Sequence, residues 1–200
     1  MTDQVTMSVI DSDANSHNIA LCVDCDGSLI RTDLLHESVF CLLKQAPWLV
    51  LLLPIWLLRG KAALKQRLAQ RVSVDVTTLP LNDSVVALAR EARAAGRRVV
   101  LATASHRVPA EALAAHLGLF DEVLATEGGV NLSGADKRAQ LVSRFGERGF
   151  DYVGNGHSDL AVWASARRAV VVSANASLAR AAAAVTTVER DSGYAQPEAL

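Results

Sequence analysis

Residues 19–28 have the sequence IALCVDCDGS, in which an apolar, β-branched run ends at two aspartates and a glycine. A run this apolar is typical of a central strand that is buried on both faces. Because side chains alternate along a strand, Asp24 and Asp26 can converge where the strand ends and the chain turns at Gly27. The stretch therefore predicts a buried strand that ends at a pair of carboxylates.

Strand-like and helix-like stretches alternate through the rest of the chain. Further apolar runs, predicted as strands, lie at residues 98–103, 122–126, 150–154, 169–173 and, more weakly, 185–188. Helical stretches, most of them ending at a glycine, lie at residues 83–95, 109–117, 135–145, 158–168 and 176–184. Alternation of this kind predicts an α/β fold in which helices cover both faces of a parallel sheet. Such sheets carry their sites at the C-terminal ends of the strands.

Residues 31–81 interrupt this alternation. The segment contains helix-compatible sequence and no strand-like run framed by turns, so it is predicted to form a small helical cap inserted after the first strand. Residues 46–58, APWLVLLLPIWLL, are uncharged and strongly apolar, but these 13 residues are fewer than the roughly 20 that a membrane-spanning helix needs. A buried or interfacial segment is therefore expected.

The cap segment is also one-sided in charge. Residues 38–74 contain no acidic residue. They contain six basic residues: Lys44, Arg59, Lys61, Lys65, Arg67 and Arg71. Such a surface suits an anionic amphiphile, either a prenyl or other lipid phosphate or the anionic face of a membrane. The alternative is a hydrophobic cap core with solvated cations on its outer face.

Length and composition indicate one folded unit that carries this insertion. The chain has 200 residues, half of them apolar, which is enough for a substantial core. The predicted organisation is a flexible tail at 1–18, a core domain at 19–30 and 82–190, the cap at 31–81 and a second tail at 191–200. A formal net charge of -1 gives no indication of nucleic acid as a partner.

The N-terminal residues and the cysteines indicate a cytoplasmic protein. Residues 1–18 are polar and acidic, without the basic and apolar regions of a secretory signal. Three cysteines, an odd number, fit a reducing compartment better than a disulfide framework. Cys22 and Cys25 form a C-x-x-C pair, but no second pair stands at metal-binding spacing, so zinc or redox chemistry is not expected.

The two carboxylates at the end of the first strand are the strongest indication of chemistry. Two convergent carboxylates need a counter-charge, and an oxygen-ligated divalent cation such as Mg²⁺ is a natural occupant. One carboxylate could then attack a phosphoryl group, while the other protonates the leaving oxygen and later activates water. The alternative is an acidic turn after a strand.

The same stretch, DCDGS at residues 24–28, resembles the first motif, D-x-D-G-T/S, of the haloacid dehalogenase-like hydrolase superfamily. The resemblance implies a Rossmann-like three-layer α/β sandwich with a parallel central sheet. It also implies that Asp24 is the nucleophile, that Asp26 is the acid/base, and that Ser28 contributes to phosphate binding.

Two later motifs that hold phosphate in this superfamily follow in order. The second motif, a Ser or Thr that ends a strand, is matched by Thr103 in VVLATAS, with Ser105 as a rival and Ala104 as a further phosphate-binding position. The third motif, a lysine near the start of a helix, is matched by Lys137, the only lysine after Lys65. Lys137 is expected to neutralise charge in the transition state.

The fourth motif, usually G-D-x-x-x-D, departs from the superfamily. Residues 154–159 read GNGHSD, so Asn155 replaces the first acid and Asp159 keeps the second. An amide oxygen can still ligate Mg²⁺, but it holds the metal less tightly than a carboxylate does. The resemblance thus implies Mg²⁺ on Asp24, the Asp26 main-chain oxygen and Asn155, with Asp159 supporting the metal directly or through water.

A closer resemblance runs through RTDLLHESV, ALKQRLA, LATAS, HLGLFDEVLAT, RFGERGFDYVGN and DLAVW. These stretches look like the phosphatase-like domain that precedes UbiA-type prenyltransferases in some bacterial fusion proteins. The resemblance implies a Mg²⁺-dependent phosphatase that forms an aspartyl-phosphate and acts on a phosphomonoester or a prenyl or lipid phosphate, in the cytoplasm or at the inner face of the membrane. Transfer to an acceptor other than water would use the same residues.

An alternative from another class is a non-catalytic domain that docks through its cap on a membrane or on a prenyltransferase partner. Asn155 is the feature that favours this alternative, because it weakens the expected metal site.

Overall fold

A parallel six-stranded sheet forms the centre of the molecule in the computed structural model. The strand order is β3-β2-β1-β4-β5-β6 for β1 (Ala20–Val23), β2 (Val99–His106), β3 (Glu122–Thr126), β4 (Phe150–Gly154), β5 (Arg168–Val171) and β6 (Thr187–Arg190). The structure describes residues 19–128, 131–173 and 175–190. The predicted tails at 1–18 and 191–200 lie outside the described residues.

Strand β1 lies at the centre of the sheet and is buried on both faces, as its composition predicts. It pairs with β2 on one side and with β4 on the other. Because successive side chains point to opposite faces, Leu21 and Val23 join one apolar cluster while Ala20 and Cys22 join the other. The end of this strand therefore lies between two packed layers.

The segment between β1 and the core helices forms the cap. It consists of α1 (Leu34–Gln45), a 3-10 helix (Pro47–Leu52), α2 (Leu53–Leu58), α3 (Lys61–Ala69) and a second 3-10 helix (Val76–Thr78). The Asp33 side chain caps α1 by accepting a hydrogen bond from the backbone of Leu35 at 2.7 Å. The cap has an apolar cluster of its own, centred on Leu42, Trp56 and Leu68.

The predicted apolar run of the cap is divided between the first 3-10 helix and α2. Within the described residues, no helix is both long enough and apolar enough to cross a membrane.

The remaining helices cover the two faces of the sheet. They are α4 (Asp83–Ala94), α5 (Arg107–Leu117), α6 (Ala135–Phe145), α7 (Leu160–Trp163) and α8 (Ala176–Ala183). Side chains of α4 and α5 pack in the cluster on one face, and side chains of α6, α7 and α8 pack in the cluster on the other. The predicted α/β fold with a parallel sheet between helical layers is confirmed.

Two elements differ from the bounds that the sequence predicts. Strand β2 continues past residue 103 to His106, with an irregular register against β3 between Ala102 and His106. The helix predicted at 158–168 is only the four residues of α7, preceded by a 3-10 turn. It ends early because the backbone N–H of Arg167 already donates to the carbonyl of Phe150 at 2.7 Å, which leads the chain into β5.

Candidate active site

A cavity of about 420 Å³ opens at the C-terminal ends of β1, β2 and β4, between the core and the cap. This is the edge at which open parallel sheets carry their sites. The core contributes mostly polar side chains, among them Asp24, Asp26, Ser105, Lys137, Asn155 and Asp159. The cap contributes Leu35, Leu57, Lys61, Leu64 and Lys65.

Asp24 and Lys137 form a buried ion pair beside this cavity. Lys137 Nζ donates to Asp24 Oδ1 at 2.6 Å. The lysine is brought there by the first turn of α6, 113 positions along the chain from the aspartate. Lys137 Nζ also donates to the Tyr152 hydroxyl at 2.8 Å and lies 3.9 Å from Asp159 Oδ1. One ammonium is thus shared by two carboxylates and a phenol.

The electrostatics of this pair are set by burial. Burial raises the pKa of the Asp24 carboxyl to about 7, against the opposing charge of Lys137, and the negative charges of Asp159 and Asp26 add to the increase. Burial alone would lower the pKa of the Lys137 ammonium, but the charges of Asp24 and Asp159 more than offset this effect, so its pKa is raised. Lys137 therefore carries its positive charge at neutral pH and favours the ionised form of Asp24.

Asp26 is held between the cap and β2. Its Oδ1 accepts a hydrogen bond from the backbone N–H of Leu34 at 2.8 Å, where the first cap helix begins. Its Oδ2 accepts from the Ser105 hydroxyl at 2.7 Å and from the Thr103 hydroxyl at 3.3 Å. Burial raises the pKa of Asp26, and the hydrogen bonds from Leu34 and Ser105 moderate the increase. A carboxyl with a raised pKa can hold a proton closer to neutral pH, as an acid/base group must.

The predicted phosphate-binding residues divide into two groups in the structure. Ala104 and Ser105 border the cavity. Thr103 and Ser28 are fully buried, and neither side chain is in the cavity wall. The Thr103 hydroxyl contacts Asp26 and accepts from the backbone N–H of Ser105 at 2.9 Å, so it orients Asp26 and the backbone at Ser105. Among the two hydroxyls considered for the second motif, Ser105 is the one that faces the cavity.

Ser28, predicted to contribute to phosphate binding, lies outside the cavity wall. Its hydroxyl is buried, and it is the buried side-chain oxygen for which the described part of the chain provides no hydrogen-bond partner. A contact between this hydroxyl and a phosphate in the cavity would require a different arrangement of the turn after β1.

The loop after β4 brings Asn155 against the turn after β1. Gly27 has a φ of 76°, and a Cβ atom there would lie 2.0 Å from Asn155 Nδ2, so only glycine leaves room for the amide. Asp159 fixes this loop, because its Oδ2 accepts from the backbone N–H groups of Asn155 at 3.1 Å and Gly156 at 3.0 Å. Its Oδ1 accepts from the Tyr152 hydroxyl at 3.0 Å. Both Asp159 oxygens thus accept hydrogen bonds from the protein.

The donor set fits Mg²⁺ through oxygen atoms of mixed type. No group of three His, Cys, Asp or Glu side chains suited to a metal ion is found among the described residues, in keeping with the replacement of an acid by Asn155. The site nevertheless gathers three carboxylates, Asp24, Asp26 and Asp159, near two ammonium groups, the buried one of Lys137 and the partly buried one of Lys65. This excess of negative charge suits a divalent cation held by carboxylate, amide and main-chain oxygens.

Two residues of the site were not singled out from the sequence as site residues. Lys65 of α3 reaches from the cap into the cavity, and its Nζ donates to the Ala104 carbonyl at 2.6 Å and to Asn131 Oδ1 at 2.9 Å. Its signals in the sequence were membership of the acid-free cap segment and of the stretch ALKQRLA. Tyr152 links Lys137 to Asp159 from within β4, and a tyrosine inside an apolar strand is the signal that could have indicated it.

The cysteine pair takes no part in this site. Cys22 and Cys25 are buried as free thiols. Burial raises the pKa of both thiols, so they remain protonated and unreactive at neutral pH.

The fold and the site together define a class of protein: a capped, parallel α/β protein with paired aspartates and a lysine at the strand ends. The sequence pattern of the haloacid dehalogenase-like hydrolase family matches residues 21–164. The chain belongs to that family.

One curated relative matches most of this chain. It is the uncharacterized protein y4nM of Sinorhizobium fredii (strain NBRC 101917 / NGR234), which is 38 % identical over 167 residues, or 83 % of this chain. The match covers 32 % of the relative, so this chain spans about a third of the length of that protein.

Solved structures share the fold at low sequence identity. A protein of unknown function from Bordetella pertussis Tohama I has a TM-score of 0.63 and 14 % identity, over 86 % of this chain and 98 % of the other. A probable phosphoserine phosphatase from Vibrio cholerae has a TM-score of 0.59 and 19 % identity, over 87 % of this chain and 61 % of the other. At these identities the likeness supports the fold.

Proposed function

We propose that this chain is a phosphohydrolase in which Asp24 attacks the phosphorus of a phosphate ester. The observation that carries the proposal is the 2.6 Å ion pair between Lys137 and Asp24 at a cavity that Asp26 also borders. A carboxylate whose ionised form is favoured by a buried ammonium can act as a nucleophile, and the second carboxyl is placed to move protons.

The reaction follows from these positions in two steps. In the first, an Asp24 oxygen forms a bond to phosphorus, the ester P–O bond breaks, and Asp26 gives its proton to the leaving oxygen. In the second, Asp26 takes a proton from water as the water oxygen attacks phosphorus, which releases inorganic phosphate and restores Asp24. Lys137 balances the negative charge on Asp24 and on the phosphoryl group throughout. A phosphoserine phosphatase solved with a phospho-aspartyl intermediate analogue shares this fold, with a TM-score of 0.52 and 14 % identity.

Mg²⁺ is the proposed cofactor. Asp24, Asp26 and Asn155 would hold it, and Asp159 would fix the loop that carries Asn155. When bound, Mg²⁺ would supply positive charge to the phosphoryl oxygens and offset the excess of carboxylates.

The proposed substrate is a phosphomonoester with an apolar organic part, such as a prenyl or lipid phosphate. The core side of the cavity offers the groups for phosphate, and the cap side offers Leu35, Leu57 and Leu64 together with Lys61 and Lys65. A wall that combines leucines with cations fits an anionic ester that has an apolar organic part.

Phosphate release from a panel of small and prenyl phosphates, with and without Mg²⁺, tests the proposal. Wild type should turn over with Mg²⁺, and Asp24→Asn should lose about 10³-fold or more of kcat, since the amide cannot attack phosphorus. The Asp83→Asn variant, altered in the first turn of α4, is the matched control and should retain activity. Metal-dependent turnover by a folded Asp24→Asn protein would contradict the proposal.

A second candidate is a non-catalytic domain that docks on a membrane prenyltransferase. Asn155 in place of an acid favours it, and so does a curated relative of which this chain covers only about a third. This candidate predicts no turnover on any phosphate ester by a protein whose fold is intact. For both candidates the proposed location is the cytoplasm or the cytoplasmic face of the membrane.

A further inference from the structure

The apolar side chains that this protein exposes are concentrated in the cap. Among the described residues eight large hydrophobic side chains are exposed, and seven of them lie between Phe40 and Leu58. The most exposed are Leu58 at 88 %, Leu51 at 80 % and Trp48 at 68 %. We call the exposed apolar side chains of residues 40–58 the cap face. Soluble proteins seldom expose so many large apolar side chains in one segment unless the surface binds something.

The cap face does not arise from a lack of core in the cap. Leu42, Trp56 and Leu68 already fill the interior of the cap, with Trp56 only 6 % exposed. The C-terminal half of α1, the 3-10 helix and α2 pack on one another around this interior. The exposed leucines and Trp48 are therefore additional to the residues that stabilise the cap, and they point outward from three consecutive elements.

The charges beside the cap face have one sign. Residues 38–74 contain no acidic residue. Lys44, Arg59 and Lys61 are exposed at the ends of the apolar segment. Trp and Leu flanked by Lys and Arg is the composition of a surface that lies in the interface of a bilayer with anionic headgroups. An apolar protein groove would explain the leucines but not the absence of acids.

The cap face is continuous with the wall of the active-site cavity. Leu57 is exposed in the cap face and also borders the cavity, as does the exposed Lys61. A bilayer in contact with the cap face would therefore lie beside the cavity entrance.

From this composition and continuity we infer that the cap face docks on an anionic lipid bilayer. Apolar side chains of the cap enter the interface, and the three basic residues contact anionic headgroups. Docking does not require turnover, so it holds whether or not the chain is a phosphohydrolase.

Tryptophan fluorescence gives a direct readout, since only one described tryptophan is exposed. Trp56 and Trp163 are 6 % and 0 % exposed, so a change in emission reports Trp48. Vesicles of equimolar phosphatidylcholine and phosphatidylglycerol should shift the emission to shorter wavelength and pellet the protein. Phosphatidylcholine alone should bind at least about fivefold more weakly, the contribution expected of one basic residue near an anionic surface. High salt should remove this difference.

Two matched variants distinguish vesicle binding by the cap face from non-specific vesicle binding by other exposed apolar side chains. Leu51→Ser/Leu58→Ser should lower vesicle affinity by about tenfold or more, because two side chains that enter the interface are replaced by polar ones. Val108→Ser, which alters the exposed apolar residue of α5 outside the cap, should leave affinity unchanged. All three substituted positions are exposed, so the variants should unfold at the temperature of wild type, which a thermal melt checks.

Three results would overturn the inference. One is equal vesicle binding by the double variant and wild type. Another is equal binding to neutral and anionic vesicles at low salt. The third is a Trp48 emission already at short wavelength in buffer, which would mean that a second copy or another protein segment covers the cap face.

Discussion

Lys137 controls the charge state of the proposed nucleophile. Its ammonium lies 2.6 Å from Asp24, and its charge opposes the increase that burial causes in the Asp24 pKa. The ionised form of Asp24 is the one that can attack phosphorus, so activity should rise with pH as this carboxyl loses its proton. The pH at which activity rises therefore depends on the charge of Lys137.

Replacing the lysine tests this coupling. In Lys137→Met the Asp24 pKa should increase further, so the acid limb of the kcat/KM profile should move to higher pH, and kcat should fall about 10²- to 10³-fold. Lys44→Met, altered on the outside of the cap, should change neither. The role assigned to Lys137 would be wrong if its loss lowered kcat without moving the acid limb.

At the scale of elements, the turn after β1 and the loop after β4 fit each other through one glycine. Gly27 has a φ of 76°, and a Cβ atom would displace the Asn155 amide. Gly118 offers a matched comparison, because its φ of 63° is similar and no atom lies within 4 Å of a Cβ built there.

Alanine at each position separates backbone strain from the loss of Asn155. Both Gly27→Ala and Gly118→Ala should lower the free energy of unfolding by about 1 kcal/mol, the cost of a left-handed alanine. Only Gly27→Ala should also weaken Mg²⁺ binding, measured by calorimetry and by the Mg²⁺ dependence of turnover. Equal Mg²⁺ affinity in the two variants would show that Asn155 is not a metal ligand.

The bounds of the helices and strands show which of them local sequence can predict. Strand β1 and helix α6 lie close to their predicted bounds, because an apolar run that ends at Asp24 and a helix that ends at Gly146 have local signals. The helix predicted at 158–168 is shorter, because backbone hydrogen bonds to β4 end it, and no local pattern encodes that contact.

The sequence predicts the site residues that belong to a motif. It does not predict contacts between residues that are distant in the chain. Asp24, Asp26, Lys137 and Asn155 follow from the motifs, and the structure gathers them at one cavity. Ser105, and not Thr103, borders the cavity, and it lies where the register between β2 and β3 is irregular, which no local pattern predicts. Lys65 contacts Ala104 and Asn131, which are far from it in the chain, so no local sequence pattern predicts this contact.

At the scale of the whole molecule, Lys65 links the cap to the core by hydrogen bonds. This ammonium is held by two neutral oxygens in the cavity that is proposed to bind an anionic ester. Burial lowers the pKa of Lys65, and the charges of Asp26 and Asp33 oppose that decrease. An anionic phosphate in the cavity would add a further favourable partner.

Lys65→Met should therefore affect substrate binding more than chemistry. We expect KM to increase about tenfold with a smaller change in kcat, since a lysine that bound the phosphate would do so both before and during the reaction. Arg67→Met, an exposed position on the same helix, is the control. An unchanged KM in Lys65→Met would mean that Lys65 serves only to hold the cap on the core.

The central claim is that Asp24 becomes phosphorylated, and intact mass spectrometry after rapid acid quench tests it most directly. Wild type mixed with Mg²⁺ and a phosphate ester that it turns over should gain the mass of one phosphoryl group, located by peptide mapping on Asp24 and released by hydroxylamine. Asp24→Asn should gain none. A phosphoryl group on another residue, or hydrolysis by wild type with no phosphorylated protein at any time after mixing, would contradict the account.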